Sequence, residues 1–251
     1  MPTFDPIDKA ISNPSPRHPK DPEPKRFVRH HLRLLASHDG SHSYPYCWSF
    51  TIFRTAYAPG SDAAFARAVE RLGVSARSYA YGDLVRRPKP NEEPLDTRPN
   101  EELAGRYVSE VVEDPEMEGF GVEEVGRRFD AWVAGKIEAR DGRDVPNSRF
   151  RLCLMMDQKG IDDVLSLPED PREAWGDDVW IKVVTNERWE ERGCPGQKRL
   201  WLRADVRHAV WSTWFALEDP DFLYEYVGWT AEGEDGDGAL NFWGSPPAIH
   251  M

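Results

Sequence analysis

Cysteine is scarce in this chain. Among 251 residues there are three, Cys47, Cys153 and Cys194, an odd number at wide spacing. That speaks against a disulfide framework and for a reducing compartment, so a cytoplasmic location is expected. Long apolar runs are missing as well. No stretch approaches the ~20 residues that a bilayer demands, and mean hydropathy is −0.66, so no membrane partner is expected. No apolar stretch follows Met1, so no secretory leader is expected. Positive charge is in deficit, with 32 Lys+Arg against 44 Asp+Glu and a net charge of −12. A nucleic-acid binder draws most of its affinity from a basic stripe, and here only Lys25–Arg33 (KRFVRHHLR) is basic, so no nucleic-acid partner is expected.

The common chemical motifs are missing too. There is no GxxxxGK[ST], no GxGxxG after a strand and no GxSxG. The acidic loop EGEDGDG (232–238) would repel phosphate, and it lacks the Glu that closes an EF-hand calcium loop. His30, His31, His38 and His42 follow no metal-ligand spacing, and His30 and His31 leave a helix on different sides, so neither a metal nor another cofactor is expected.

What is present is pattern. Seven prolines crowd residues 1–25 with few large apolar residues, which reads as a disordered or wrapping arm. Residues 26–251 read as one domain with a Pro-rich surface insertion at 86–101. Phe27, Val28, His31, Leu32 and Leu35 predict a short helix. Residues 46–57 (YCWSFTIFRTAY) predict a strand that stops at Pro59-Gly60. Ser61 and Asp62 offer a cap, and Phe65, Val69 and Leu72 predict a helix with Gly73 as its stop. Residues 105–113 suit a strand or a helix. Val122, Val125, Phe129, Trp132 and Val133 predict a further helix. Residues 149–156, 178–185 and 200–205 read as strands. Asp157 can cap a short helix, and 206–217 fits either period with a helix preferred. The tail NFWGSPP (241–247) should dock, since Phe242 and Trp243 in water would be costly.

SFTIFRTAY followed by SDAAFARAVERL parallels RFRLCLMM followed by DQKGIDDVLSL. Two such units predict an α+β fold, a ferredoxin-like sandwich with long insertions and tails. Alternation then sorts each strand. Trp48, Phe50 and Ile52 share one side, Ser49, Thr51, Phe53 and Thr55 the other. Phe150, Leu152, Leu154 and Met156 oppose Arg151, Cys153 and Met155, while Val179, Ile181 and Val183 oppose Trp180, Lys182 and Val184. Each strand thus has an apolar side for the helices and a mixed side. The mixed side is too polar for a dry core and too apolar for plain solvent, so a ligand, a symmetry mate, or the N-terminal arm and the aromatic tail should cover it.

The expected function is a non-catalytic binding module, self-associating, that takes a partner or small molecule on this mixed face through Thr51, Arg54, Thr55, Arg151, Trp180 and Lys182. The alternative is a cofactor-independent enzyme with an aromatic-lined pocket. There Arg54, Arg151 or Lys182 would hold an anionic group. Cys153, beside a cation that would lower its pKa, or His208, near Asp205, would act as nucleophile or base. A third reading is an assembly protein whose Pro-rich arm wraps a neighbour. Glu110 and Glu113 are ordinary carboxylate candidates. The ten tryptophans suit core and interface packing as well as stacking on a flat ligand.

Seven segments, TIFRTAY (51–57), RPNEEL (98–103), EVVED (110–114), EEVGRRFDAW (123–132), LPEDPR (167–172), KVVTN (182–186) and NFWGSP (241–246), resemble a family of uncharacterised cytosolic proteins from filamentous fungi. The resemblance implies a fungal, intracellular origin and carries over no catalytic residue.

Overall fold

The structure, a computed structural model, describes residues 27–37, 47–84, 96–138, 148–170, 179–188, 199–207, 209–216 and 240–242. Its elements in chain order are α1 (Phe27–Ser37), β1 (Thr51–Arg54), α2 (Ser61–Tyr79), α3 (Arg98–Gly105), β2 (Glu110–Val112), α4 (Val122–Glu138), β3 (Leu152–Met156), α5 (Gln158–Ser166), β4 (Trp180–Arg188), β5 (Arg199–Asp205), α6 (Ala209–Ala216) and β6 (Leu240–Phe242). The strands form one mixed sheet in the order β2-β1-β3-β4-β5-β6. β1 runs parallel to both β2 and β3, β4 is antiparallel to β3 and β5, and β6 is parallel to β5.

The alternation expected along the strands is the one observed. Phe50, Ile52, Leu152, Leu154, Met156, Ile181, Val183, Leu202 and Ala204 lie on one side of the sheet, packed against buried residues of α1, α2, α3, α5 and α6. Phe53, Cys153, Met155 and Val184 lie on the other, packed against Val125, Phe129 and Val133 of α4. Helices therefore cover both sides. The mixed α and β class holds, but the parallel neighbours of β1 and the helix behind the sheet differ from a ferredoxin-like sandwich. Such a sandwich keeps its helices on one side of an antiparallel sheet. The cause is the crossover from β2 to β3, which passes over β1 on the side opposite to α2.

Several boundaries move for local reasons. The α2 helix does not stop at Gly73. It continues because Ser75 and Ala76 extend the buried stripe begun by Phe65, Ala68 and Leu72. Each large member of such a stripe contributes about 1.5–3 kcal/mol. Gly60, at φ 86, takes the left-handed turn that starts α2 and that a side chain would strain. Residues 105–113 resolve into the end of α3 and the whole of β2. Of the Pro-rich insertion, residues 96–101 are described, and α3 begins there with Pro99 in its first turn, where a missing N–H costs nothing. Asn100 is fully buried because its amide donates to Ala80 O and Asp83 Oδ1, both at 2.7 Å. Phe150 packs beside α4 rather than with Leu152, because Ser148–Phe150 is a 3-10 turn to which strand alternation does not apply.

Among the described residues, three tryptophans sit in the larger core, and each indole N–H has an acceptor. Trp48 reaches Leu103 O at 2.8 Å, Trp211 reaches Ser75 Oγ at 3.1 Å, and Trp214 reaches Ser49 O at 2.9 Å. Paired in this way, the rings bury their area without a polar penalty. The tail segment Leu240–Phe242 docks as the edge strand β6. Residues 1–26 lie outside the described residues.

Candidate functional site

The parallel strands β1, β2 and β3 end on the same edge of the sheet. From there β1 leads to α2 on one side and β2 leads to α4 on the other. Adjacent strands whose connections leave to opposite faces open a crevice between them, the usual ligand position in open α/β sheets. Arg54, the last residue of β1, fills its base. It is 3% exposed. Its Nε donates to Ala56 O at 2.8 Å, Nη1 to Glu113 at 2.8 Å, and Nη2 to Ser61 Oγ at 2.8 Å and Asp62 at 2.6 Å. The guanidinium also stacks over Tyr57 at 4.4 Å and Phe65 at 4.6 Å. It is thereby committed to the protein's own groups and cannot serve as the anion clamp the sequence suggested.

Around Arg54 the two loops are laced together. Tyr57 Oη accepts from Asp114 N at 2.7 Å, and Tyr57 N donates to the Glu118 carboxylate. Burial raises the Tyr57 pKa against the pull of the Asp114 N–H and of Arg54. Gly119 N donates to Thr55 O at 3.0 Å, and Thr55 N to Met156 O at 3.0 Å, which ties both loops to the end of β3. Asp114 caps the turn at Pro115–Met117 through Glu116 N at 3.0 Å. Arg128 of α4 approaches Asp114 at 3.4 Å and Glu116 at 3.3 Å. Four carboxylates (Asp62, Glu113, Asp114, Glu116) thus pair with two guanidiniums and a fifth, Glu118, accepts from Tyr57 N, so these seven groups together carry a net charge of −3.

The same edge continues across the end of β3. Asp157 caps α5, accepting from Gly160 N at 2.8 Å, and its other oxygen takes Lys182 Nζ at 2.7 Å. Lys182 lies 5.8 Å over the Trp201 ring.

The expected ligand residues therefore separate. Thr51, Phe53, Cys153, Met155, Lys182 and Val184 do share one face, through the pairings Thr51↔Cys153, Cys153↔Val184 and Met155↔Lys182. But α4 covers the centre of that face, and Thr51 and Cys153 are both 0% exposed beneath it. Arg54, Thr55 and Lys182 come to the carboxyl edge, as does Trp180 at the start of β4, paired with Asp205 at the end of β5. Arg151 lies at the other end of β3, where its carbonyl accepts from Asn186 N. His208 and Cys194 lie outside the described residues. A symmetry mate seeking the mixed face would meet α4 instead.

Cys153 packs as a small core residue, out of reach of a substrate. Burial raises the pKa of the other described thiol, Cys47, although Arg149 and Arg106 pull it back. Among the described residues no three His, Cys, Asp or Glu side chains converge as a metal site. His31 is buried and His30 exposed on α1, so they do not chelate together.

Sequence reading missed Tyr57, Asp62, Asp114 and Arg128. The available signal was that YAPGSD and EDPEME each follow a strand and precede a helix. It needed the strand order before the two loops could be seen as neighbours. No family model, no curated protein and no solved structure matches this chain.

Proposed function

We propose that the chain is a non-catalytic binding module whose ligand is polycationic and docks at the carboxyl edge of β1 and β2. One observation carries this: the surplus of carboxylates at the crevice, with Asp62, Glu113 and Glu116 side chains 89%, 52% and 81% exposed. Solvated charges about 4 Å apart interact by only ~1 kcal/mol each. A single ammonium group would therefore bind weakly, and several positive charges in one segment are needed. Binding is favoured over catalysis because Cys153 is sealed beneath α4. Four of the segments that resemble the fungal family, TIFRTAY, EVVED, EEVGRRFDAW and KVVTN, supply this edge, and that kinship belongs to the same proposal.

Calorimetric titration with hexalysine at low and at raised salt tests it. Binding should weaken with salt and fall at least tenfold in Glu113→Gln/Glu116→Gln. It should change less than twofold in a control with the same charge change elsewhere, Glu70→Gln/Asp163→Asn. Equal losses in both variants would reduce the effect to net charge and end the proposal.

A further inference from the structure

We infer that the polycation of the proposed function is an extended polypeptide segment, and that it binds by adding a strand to the outer edge of β2. This rests on the proposed function and deepens it, from a sign of charge to a kind of partner. β2 is the last strand on its side of the sheet. It pairs with β1 through Thr51↔Glu110, Ile52↔Val111 and Phe53↔Val112, and the bridge Trp48↔Tyr107 keeps the same register nearer the amino end. Val108 N donates to Trp48 O at 3.0 Å. Alternation along the strand then turns the backbone groups of Val108, Glu110 and Val112 towards β1, and those of Val111 and Glu113 outwards. Among the described residues, the outward N–H and C=O of Val111 and the outward N–H of Glu113 meet no hydrogen-bonding partner.

The exposure of the strand agrees. Every residue of β1 is buried, whereas all of β2 is half-buried. Proteins commonly guard an open edge with lysine, proline or an inward-pointing charge. The run YVSEVVE (107–113) has neither lysine nor proline. The Glu110 carboxylate is turned onto the sheet face, to Lys136 at 3.1 Å and Trp132 Nε1 at 3.2 Å. Val111 packs against the larger core and Val112 against the smaller, so their side chains leave along the faces of the sheet and not along its edge.

Charge selects what pairs there. An added strand would run past Glu113, Asp114 and Glu116, whose side chains are 52%, 36% and 81% exposed. Basic side chains at that end of the strand meet these carboxylates, and an apolar side chain opposite Val111 extends a face that is already half covered. A second copy of the chain would bring a further net charge of −12 to the same edge, which opposes pairing between copies. A flexible polyamine would make the charge contacts without the ladder.

Calorimetry on the full chain compares probes of equal charge. One is a blocked decapeptide with a Val-Thr-Val-Thr centre and three lysines at each end, and the other is blocked hexalysine. The decapeptide should bind at least tenfold more tightly, and N-methylation of two adjacent central amides, which blocks both of its edges, should remove the gain. Val111→Pro deletes an outward N–H and spares the ladder to β1, as proline does on edge strands. It should lower the decapeptide to the affinity of hexalysine and leave hexalysine within twofold of wild type. In the wild type, hydrogen exchange at the Val111 and Glu113 amides should slow at least tenfold with the decapeptide and stay unchanged with hexalysine. That reading stands even if the proline variant fails to fold. Equal affinities for the decapeptide and its N-methylated form would overturn the added strand and leave the charge reading in place. Absence of binding by hexalysine and both peptides would end the two together. A dimer in light scattering that Val111→Pro dissolves would give the edge to a second copy and overturn the inference.

Discussion

The Arg54 guanidinium donates to the Glu113 carboxylate at 2.8 Å and so joins the end of β1 to the end of β2. The same group holds the first turn of α2 through Ser61 and Asp62. One fork therefore fixes three chain segments at the mouth of the crevice. Arg54→Ala removes bonds to charged partners and the stacking on Tyr57 and Phe65, a loss of about 2–4 kcal/mol. Arg54→Lys should recover little of it, since an ammonium cannot reach four acceptors in different directions. Glu113→Gln should cost under about 1 kcal/mol, because that carboxylate is half exposed. Urea unfolding midpoints rank the three, and a Lys variant as stable as wild type would refute the fork.

His31 makes stability depend on acid. It is buried in α1 and stacks on Phe215 with ring centroids 3.7 Å apart. Burial first, and the neighbouring His30 charge second, lower its pKa from 6.5 to about 3. The unfolded chain takes up the proton as pH falls below about 6.5, whereas the native protein resists until about 3. The native state is therefore penalised progressively across that window, by on the order of 4 kcal/mol at its acid end. Above pH 6.5 the penalty is absent. Carboxylates titrate in part of the same range, so the measurement is a difference. Guanidinium midpoints between pH 7 and 4 should fall less steeply in His31→Phe, which preserves the stack. Parallel slopes for the two proteins would refute it.

The reactive-thiol alternative has a direct check. Cys47 and Cys153 are 2% and 0% exposed. In a Cys194→Ser protein, no thiol should react with an aromatic disulfide until denaturant is added, and then two should react together. Rapid modification of Cys153 in the native protein would restore it as a nucleophile.

How far the sequence carried this fold is plain at Ile52 and Phe53. Their alternation assigned each to the correct side, as did that of Leu154 against Cys153, because the period of a strand is local. Asp157 announced a helix start and is one. The stripe at Phe129 announced a helix, but nothing in it says that α4 lies behind the sheet rather than in front. That depends on strand order, which is set by contacts between residues far apart in sequence. The mixed face was consequently recognised as needing a cover, while the cover was sought in a ligand, a symmetry mate or the two tails rather than in α4. Arg149 was invisible for a similar reason. Its place in the sequence reads as the start of the 149–156 strand, and only the approach of Val108 O and Phe50 O makes it a buried cation.

Ser49 is where local rule and tertiary demand conflict, and a pair of variants measures the conflict. Ser49→Ala and Ser49→Gly both delete the hydroxyl, so whatever the hydroxyl contributes drops out of the comparison. They differ in the strain at φ 140, about 1–3 kcal/mol, and in the entropy glycine loses on folding, about 0.5–1 kcal/mol in the other direction. The glycine protein should be the more stable of the two by about 1 kcal/mol. The reverse order in chemical denaturation would mean that the strand is unstrained there.

Phe129 decides what the mixed face is. Its ring meets Phe53 edge-on with centroids 5.9 Å apart and stacks on Trp132 at 6.1 Å, and it is 0% exposed. If α4 is a permanent layer, Phe129→Ala opens a cavity between helix and sheet and costs about 3–5 kcal/mol. If α4 were instead a cover that lifts to admit a ligand, much of that area would already be exchanging with water, and the cost would fall below about 1.5 kcal/mol. Hydrogen exchange separates the two independently. Amides of α4 should be protected to the same free energy as those of β3, since a permanent layer opens only with the whole domain. Faster exchange in α4 at unchanged global stability would make it a cover, and would return Thr51, Cys153 and Lys182 to the set of residues a ligand can touch.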